Sequence, residues 1–447
     1  MRSSWLSLVV LLPLASSLAA QQPIAFVHVR ILDGNGGPPI EDGVVLTRAD
    51  RIAAVGAASA VAVPAGARRI EGRGMTLLPG LADLHVHLTG GWDGNVADLL
   101  GFHHFLSAFL YAGVTTVFDT GDVLPFVTQL RQETAAGRLA GPRIYLVGPV
   151  IDGKTPVWPP ISYSVSSADQ IPIYVKQLKE AKVDALKAYG GLSTELIRSL
   201  AEAGARESLR VFVDAWGKNG SREIAGTGIA AFAHAGTTPM TEETLEYMRS
   251  HEVASITTLV VYETFARRRF ADLGFLDRGL LAETMPPWYR DALRAHATAR
   301  QTSTDSARTR SALGRLAGAM QNVKRMFDAG VLLAAGTDAP YPGDYYGEGL
   351  HRELELLVEA GLTPLQAITL ATKNAALMMR AGSVWGTIEP AKKADLLLVR
   401  GDPSVRIGDT RRIVMVMQGG KLLDRAALRF NPAKDPGYRL GTPIQLP

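Results

Sequence analysis

The chain contains no cysteine. That excludes disulfide staples and a lipid-bearing cysteine behind a processed leader. Net charge is small as well, since 47 Lys and Arg against 43 Asp and Glu leave a formal +4 over 447 residues. With no Lys/Arg block, this balance argues against a nucleic-acid partner. After the N-terminal leader, no apolar run marks a membrane span of about 20 residues. No interface stripe is legible either, so a homo-oligomer stays an open expectation.

What the chain does have is apolar bulk, 47% of its residues, enough to fill a large core. Its length exceeds one average domain and suits a barrel of about 250 residues plus an accessory domain. Met1-Arg2 precedes an apolar run through Leu14 and small residues ending in Ser17-Leu18-Ala19-Ala20. This n-region, h-region and small-residue site predict a signal peptide over 1–20, cleaved near Ala20. The apolar core is short for a membrane anchor. The mature chain is therefore expected to be exported, to a periplasm or a secreted space.

Residues 21–76 read as short alternating strands broken by Gly and Pro, and 386–447 repeat the style in Ala394–Val399 and Ile413–Met417. The two segments are expected to pair into one small β-sandwich. Between them, 77–385 alternates strand and helix, the pattern of a parallel α/β fold. Eight strand-like runs are countable: Leu77–His87, Thr115–Asp119, Arg143–Val150, Ala185–Tyr189, Val211–Ala215, Ala231–His234, Ser255–Val261 and Leu332–Asp338. Eight favour a closed (β/α)₈ TIM-type barrel over an open sheet. The long stretch Tyr262–Gln321 exceeds a simple connection and reads as helical, with a lid as one role.

Barrel enzymes place their chemistry at the C-terminal ends of the strands. There this sequence sets His85 and His87, Lys187, Asp214, His234 and Asp338. Residues i and i+2 of a strand share a face, so His85 and His87 can reach one point, as the first two ligands of a metal must. Singly, each residue has a bland explanation: a structural histidine, a snorkelling lysine, an aspartate capping a turn. Jointly they require five coincidences of type and place, and a metal site follows. Tyr189 points along the strand with Lys187 and is a candidate to hydrogen-bond substrate, or to fill a barrel layer. His351, behind the Tyr341–Gly349 loop, is a candidate at the barrel mouth, or a solvated helix-start histidine. His103 and His104 read as helix residues, and His28, His251 and His296 have no partner pattern. The loops Asp152–Ser164 and Tyr341–Tyr346 are the expected walls of a substrate pocket. Arg267, Arg268 and Arg269 either attract a substrate carboxylate or form a solvated helix face.

H-x-H on strand one, Lys on strand four, His on strand six and Asp on strand eight resemble the amidohydrolase superfamily of metal-dependent hydrolases. Gly361–Ala367, Ala371–Ala376 and Gly386–Pro390 leading to Lys393-Ala394-Asp395 are similar to its imidazolonepropionase-like and Xaa-Pro dipeptidase-like branch. The resemblance spans about 24 to 423. It implies one or two divalent ions, zinc by preference, about 3.5–4 Å apart when paired and sharing a hydroxide. It implies a carboxylated Lys187 as bridging anion, which a desolvated and therefore neutral amine permits. His85, His87 and Asp338 would hold one ion and His234 the other, with Asp338 moving the proton during attack on a carbonyl. The implied substrates are small: dipeptides, N-acyl amino acids or cyclic amides.

One position departs from the pattern. The family has histidine at strand five, and this chain has Asp214 in Val211–Ala215. A carboxylate can ligate zinc, but its stem is shorter and it adds a negative charge. Three readings follow: a two-metal hydrolase with an altered ligand, a one-metal hydrolase in which Asp214 pairs with unmodified Lys187, and a barrel that binds a small ligand but has lost hydrolysis.

Overall fold

The computed structural model describes residues 22–91, 98–99, 101–301 and 306–434. The expected signal peptide and residues 435–447 lie outside them. Strands Ile24–Ile31, Ile40–Arg48, Arg51–Ala57, Arg68–Glu71 and Met75–Pro79 join Leu396–Arg400, Ile413–Gln418 and Lys421–Leu422 in one eight-stranded sheet. The two chain ends meet where Met75–Pro79 runs antiparallel to Leu396–Arg400. Both faces are apolar because successive side chains alternate. Ile24 and Phe26 pack with Leu396 and Leu398, whereas Ala25 and Val27 pack with Val44 and Leu46. This is the terminal β-sandwich expected from the pattern.

The run Leu77–His87, expected as one strand, is two. Met75–Pro79 belongs to the terminal sheet and Leu81–Val86 to the barrel. The switch is Gly80, where a Cβ would come within 2.3 Å of Thr115 Oγ1. The chain can pass from one sheet to the other there only without a side chain.

Eight parallel strands surround the second core: β1 (Leu81–Val86), β2 (Val114–Asp119), β3 (Arg143–Leu146), β4 (Leu186–Ala188), β5 (Val211–Val213), β6 (Ala231–Phe232), β7 (Ala254–Ile256) and β8 (Leu333–Ala334). Their ladders divide into β1–β3 and a seven-stranded sheet that holds β4–β8. Backbone hydrogen bonds span both seams: Asp184 N to Leu146 O (2.9 Å) between β3 and β4, and Leu84 N to Ala335 O (3.1 Å) and His87 N to Ala339 O (2.9 Å) between β1 and the β8 end. Inside lie Ala82, Leu84, Phe118, Ala185, Phe212, Ala231, Ala254, Ile256 and Ala334. Small residues beside two phenylalanines fill a narrow cylinder. Gly336 lets β8 close on β1, because a Cβ there would stand 2.9 Å from both His85 N and Cβ. Asn374, in the motif behind the barrel, donates to Leu333 O (2.9 Å) and fastens β8 from outside.

The stretch Tyr262–Gln321 is largely helical, as expected, and leads into the long helix Ser306–Asp328. No helix among the described residues is long and apolar enough to cross a membrane.

Two site expectations are corrected here. His351 is fully buried on helix Glu348–Glu359, bonded to Thr410 Oγ1 and Ala112 O (both 2.9 Å). Ala112 immediately precedes β2, so His351 ties the barrel's N-terminal side to the terminal sheet and is neither at the mouth nor in solvent. The arginine run is committed to protein partners and is not a free solvated face, although Arg268 keeps 36% of its side-chain surface exposed. Arg268 pairs with Glu263 and Glu359 (both 2.7 Å), Arg267 donates to Ala297 O (3.2 Å), and Arg269 donates to Glu348 (2.5 Å) and Gly343 O (2.6 Å). The sequence shows three adjacent charges but not the acids that the fold brings to them.

Glu348 is buried and also receives Arg411 (2.6 Å). Burial pushes its carboxyl up, yet Arg269 and Arg411 outweigh this and hold it at about 2, below the ordinary 4.5. The pairing therefore stabilises fully above about pH 4.5 and is lost as pH falls towards 2. Arg269→Ala is expected to lower stability at pH 7 by about 3 kcal/mol, with the deficit shrinking in acid, as urea denaturation will show. A loss under about 1 kcal/mol would mean the pair is only a surface contact.

Candidate metal centre

The polar residues at the strand ends converge. Period-2 alternation continues the interior faces: Ala185 to Lys187 in β4, Phe212 to Asp214 past β5, and Ala334 through Gly336 to Asp338 past β8. The β1–β2 register shifts between Asp83 and Val86, and that irregularity helps aim His85 and His87, whose ring centroids lie 5.5 Å apart. His234 follows Ala233 after β6 has ended, so the backbone turn brings it inward. Asp338 itself adopts φ +75°, a conformation costly for a non-glycine residue. Its N–H donates to His85 O at 2.7 Å, which helps hold the strained turn.

The imidazoles share one design. His85 Nδ1 faces Ala233 O (2.7 Å), His87 Nδ1 faces Gly121 O (2.8 Å), and His234 Nδ1 faces Thr258 Oγ1 (2.8 Å). A carbonyl can only accept, so the protons of His85 and His87 reside on Nδ1 and their Nε2 lone pairs point into the barrel. Those lone pairs meet Asp338. His85 Nε2 is 3.3 Å and His87 Nε2 3.1 Å from its Oδ1, and His234 Nε2 is 4.0 Å from its Oδ2. Donor atoms of His85, His234 and Asp338 lie within 4.8 Å of one another, close enough to hold one ion. Three imidazoles, each engaged at Nδ1, and a carboxylate form a donor set that fits a divalent cation such as zinc.

Lys187 is fully buried, its Nζ 3.0 Å from His85 Nε2 and 3.4 Å from Thr120 Oγ1. Burial lowers its pKa against the opposing pull of Asp214, Asp338 and Asp119. Burial also pushes His85 well below its ordinary value, assisted by Lys187 and His234. Asp214 Oδ2 is 3.3 Å from His234 Nε2, and its Oδ1 receives Asn219 Nδ2 at 3.1 Å. Burial raises Asp214, but His234, Lys187 and Asn219 together hold it below the usual carboxylate range. This position therefore keeps its charge beside the cluster, where the pattern has a neutral imidazole.

Several residues around the cluster were not singled out from the sequence as site residues. Asp83 accepts from Thr337 Oγ1 (2.8 Å), Thr337 N (3.0 Å) and His85 N (3.3 Å), tying β1 to the turn that carries Asp338. Burial pushes its carboxyl up to about 8. Asp119 accepts from Leu88 N (3.0 Å), and Asp122 from Thr89 N (2.9 Å), which fixes the chain just past His87. Glu353 accepts from Thr257 Oγ1 (2.5 Å) and Val260 N (2.8 Å), bracketing Thr258 at φ +45° behind His234. Asp119 was within reach of the strand-end test, since it closes β2. Glu353, distant in sequence on a helix, carried no such signal.

Three tyrosines stand around the carboxylates. Tyr189, Tyr262 and Tyr341 all have their hydroxyls held protonated by burial and by the charges of Asp214 and Asp338. Tyr189 OH receives Trp158 Nε1 (3.0 Å), and Tyr262 OH donates to Ala235 O (2.7 Å), beside His234. Trp158 lies in the Asp152–Ser164 loop, and Tyr341 opens the Tyr341–Tyr346 loop and meets Phe265 edge-on at 5.4 Å. Both loops thus supply aromatic residues next to the cluster.

The profile of the amidohydrolase family matches residues 76–423. The chain is 31% identical to imidazolonepropionase of Stenotrophomonas maltophilia over 156 residues, 35% of this chain and 36% of that protein. It is 37% identical to imidazolonepropionase of Geobacillus kaustophilus over 78 residues, 17% of this chain and 18% of that protein. The matches thus span about a third or less of these curated relatives. Its fold is similar to that of a Xaa-Pro dipeptidase with bound methionine in the active site (TM-score 0.72, 21% identity, 90% of this chain and 100% of that one). It is similar as well to phenylurea hydrolase B (TM-score 0.74, 19% identity, 95% and 100%) and molinate hydrolase (0.69, 22%, 92% and 96%). With a profile match that runs from the last strand before the barrel to the end of the terminal sheet, around a cluster of this composition, the chain belongs to the amidohydrolase family.

Proposed function

We propose that the protein is a metal-dependent hydrolase that cleaves an amide or related C–N bond of a small substrate at the C-terminal mouth of its barrel. The observation that carries this is the convergence of three histidine Nε2 atoms on Asp338 while each Nδ1 is engaged elsewhere. His85, His87 and Asp338 would hold one divalent ion, zinc by preference. His234 would serve a second, with a carboxylated Lys187 between them. A cation bound there supplies Lewis acidity and a lowered pKa for water.

The remaining chemistry belongs to side chains. Asp338, a carboxylate at the mouth, accepts the proton of the attacking water at Oδ and returns it to the leaving amine. Lys187, desolvated, favours the neutral amine that carboxylation requires. Tyr189 and Tyr341 keep their protons and so can donate to an oxygen that gains charge, whereas the Tyr262 proton is engaged by Ala235 O. The imidazolonepropionase relatives and the dipeptidase neighbour support C–N bonds as the target class. Dipeptides, N-acyl amino acids and cyclic amides are the substrates to try.

One observation favours a second reading. Asp214 pairs with His234 and shares the charge of Lys187. A single ion at His85, His87 and Asp338, with Lys187 unmodified, would satisfy the same charges. A ligand-binding barrel without turnover differs from both in hydrolysing nothing with metal bound.

Three variants test these assignments. Asp338→Asn is expected to lower kcat by roughly 10²- to 10⁴-fold on whichever substrate the wild type cleaves; retention within tenfold would remove Asp338 as the proton carrier. Asp83→Ala removes no metal donor, yet should weaken metal affinity roughly 10- to 100-fold in a chelator competition, because Asp83 orients the donors. Unchanged affinity in a folded variant would contradict that role. Asp214→His should raise bound metal or turnover. If it gains neither, position 214 is not a ligand site.

A further inference from the structure

The proposed hydrolytic site still needs a group that recognises the rest of the substrate, and the arginine run does not supply it, being committed to Glu263, Glu359, Glu348 and main-chain carbonyls. Helix Ser306–Asp328 supplies another. It descends towards β8, so its earlier residues lie on the side of the C-terminal mouth. Its level is fixed by Asn322, whose Nδ2 donates to Gly236 O and Thr238 O (both 2.7 Å) and whose Oδ1 accepts from Met240 N (3.1 Å). These are loop residues just past His234, so Asn322 marks the height of the strand ends. One turn earlier, Gly318 packs so tightly on the same loop that a Cβ would meet Thr237 O at 2.1 Å.

Arg315 follows on this flank. At 1.5 Å per residue it stands about 10 Å beyond Asn322 along the helix axis, on the mouth side of the strand ends. Its neighbours Ala312 and Leu316 pack with Ala266 and Tyr262. Tyr262 in turn reaches Ala235 O, next to His234. Burial, Asp214 and Asp338 push the Tyr262 hydroxyl up, and the opposite charge of Arg315 acts against them. Arg315 is exposed, and its Nη1 donates to Ser311 Oγ on its own helix at 3.1 Å. Among the described residues, no carboxylate is paired with it.

We propose that Arg315 receives the carboxylate of the substrate, so that the preferred substrates are amides carrying a free carboxylate a few bonds from the scissile carbonyl, as in an N-acyl amino acid or a dipeptide. This rests on the hydrolytic reading above and narrows it. The guanidinium is a planar fork that matches a carboxylate bidentately, and a neutral carboxamide at the same place would forfeit the charge-assisted pair. Arg315 is thus a specificity residue and takes no part in the bond cleavage.

The test uses full-length enzyme and paired panels of N-acyl amino acids and dipeptides, each beside its C-terminal carboxamide, with turnover and equilibrium binding both measured. Wild type should favour the acids. Arg315→Ala should raise KM or Kd for the acids roughly 10- to 100-fold, the worth of a charge-assisted hydrogen bond, while kcat and the carboxamides change little. Arg315→Lys should restore part of the loss. Equal handling of acids and carboxamides by wild type, or a preference that survives in Arg315→Ala, overturns the proposal. If nothing is hydrolysed but acids bind selectively through Arg315, the hydrolytic reading fails and the recognition stands.

Discussion

The structure turns on a carboxylate, Asp338, set among three imidazoles and an amine inside the end of a barrel. A charge taken out of water must be compensated by groups that reach it with suitable geometry. Here the imidazoles and the amine come from three strands and their following turns, β1, β4 and β6, and the barrel closes tightly enough for Gly336 to pass His85 without a Cβ. The positive φ of Asp338 is a local cost accepted where the surrounding bonds over-determine the backbone. Asp83, buried and tied to both Thr337 and His85, is the strut that transmits the position of β1 to β8.

Each imidazole is then fixed from behind. Backbone carbonyls of the neighbouring strand ends, Ala233 and Gly121, orient His85 and His87. A threonine hydroxyl orients His234, and that threonine is bracketed by bonds from Glu353 to Thr257 and Val260. Glu353 sits on the same helix as His351, Glu348 and Arg352, so one helix braces the site on one side and the terminal sheet on the other. The terminal sheet is therefore part of the scaffold that keeps the mouth in register.

Much of this was legible from residue pattern alone. Strand alternation carried Lys187, Asp214 and Asp338 to the interior because β4, β5 and β8 continue their period of two past the strand ends. His234 came inward by a turn, so its position on a strand end, not its period, was the usable signal. The break at Gly80 was hidden because an apolar run reads the same whether it belongs to one buried strand or two. His351 and Arg267–Arg269 were misjudged for a common reason: local sequence shows a polar group but not its distant partner, here Thr410, Ala112, Glu348, Glu359 and Ala297. Thr258, Asn219 and Glu353 act through geometry created by packing, and nothing in their own neighbourhoods announces it.

The account stands on a metal held at these donors, and anomalous X-ray diffraction from crystals grown with zinc addresses that directly. It predicts a strong peak inside the barrel mouth, about 2.0–2.2 Å from Nε2 of His85 and His87 and from an Asp338 oxygen. A second peak near His234 would distinguish two ions from one. A crystal saturated with zinc that shows density for the ion elsewhere and none among these side chains would contradict the central claim.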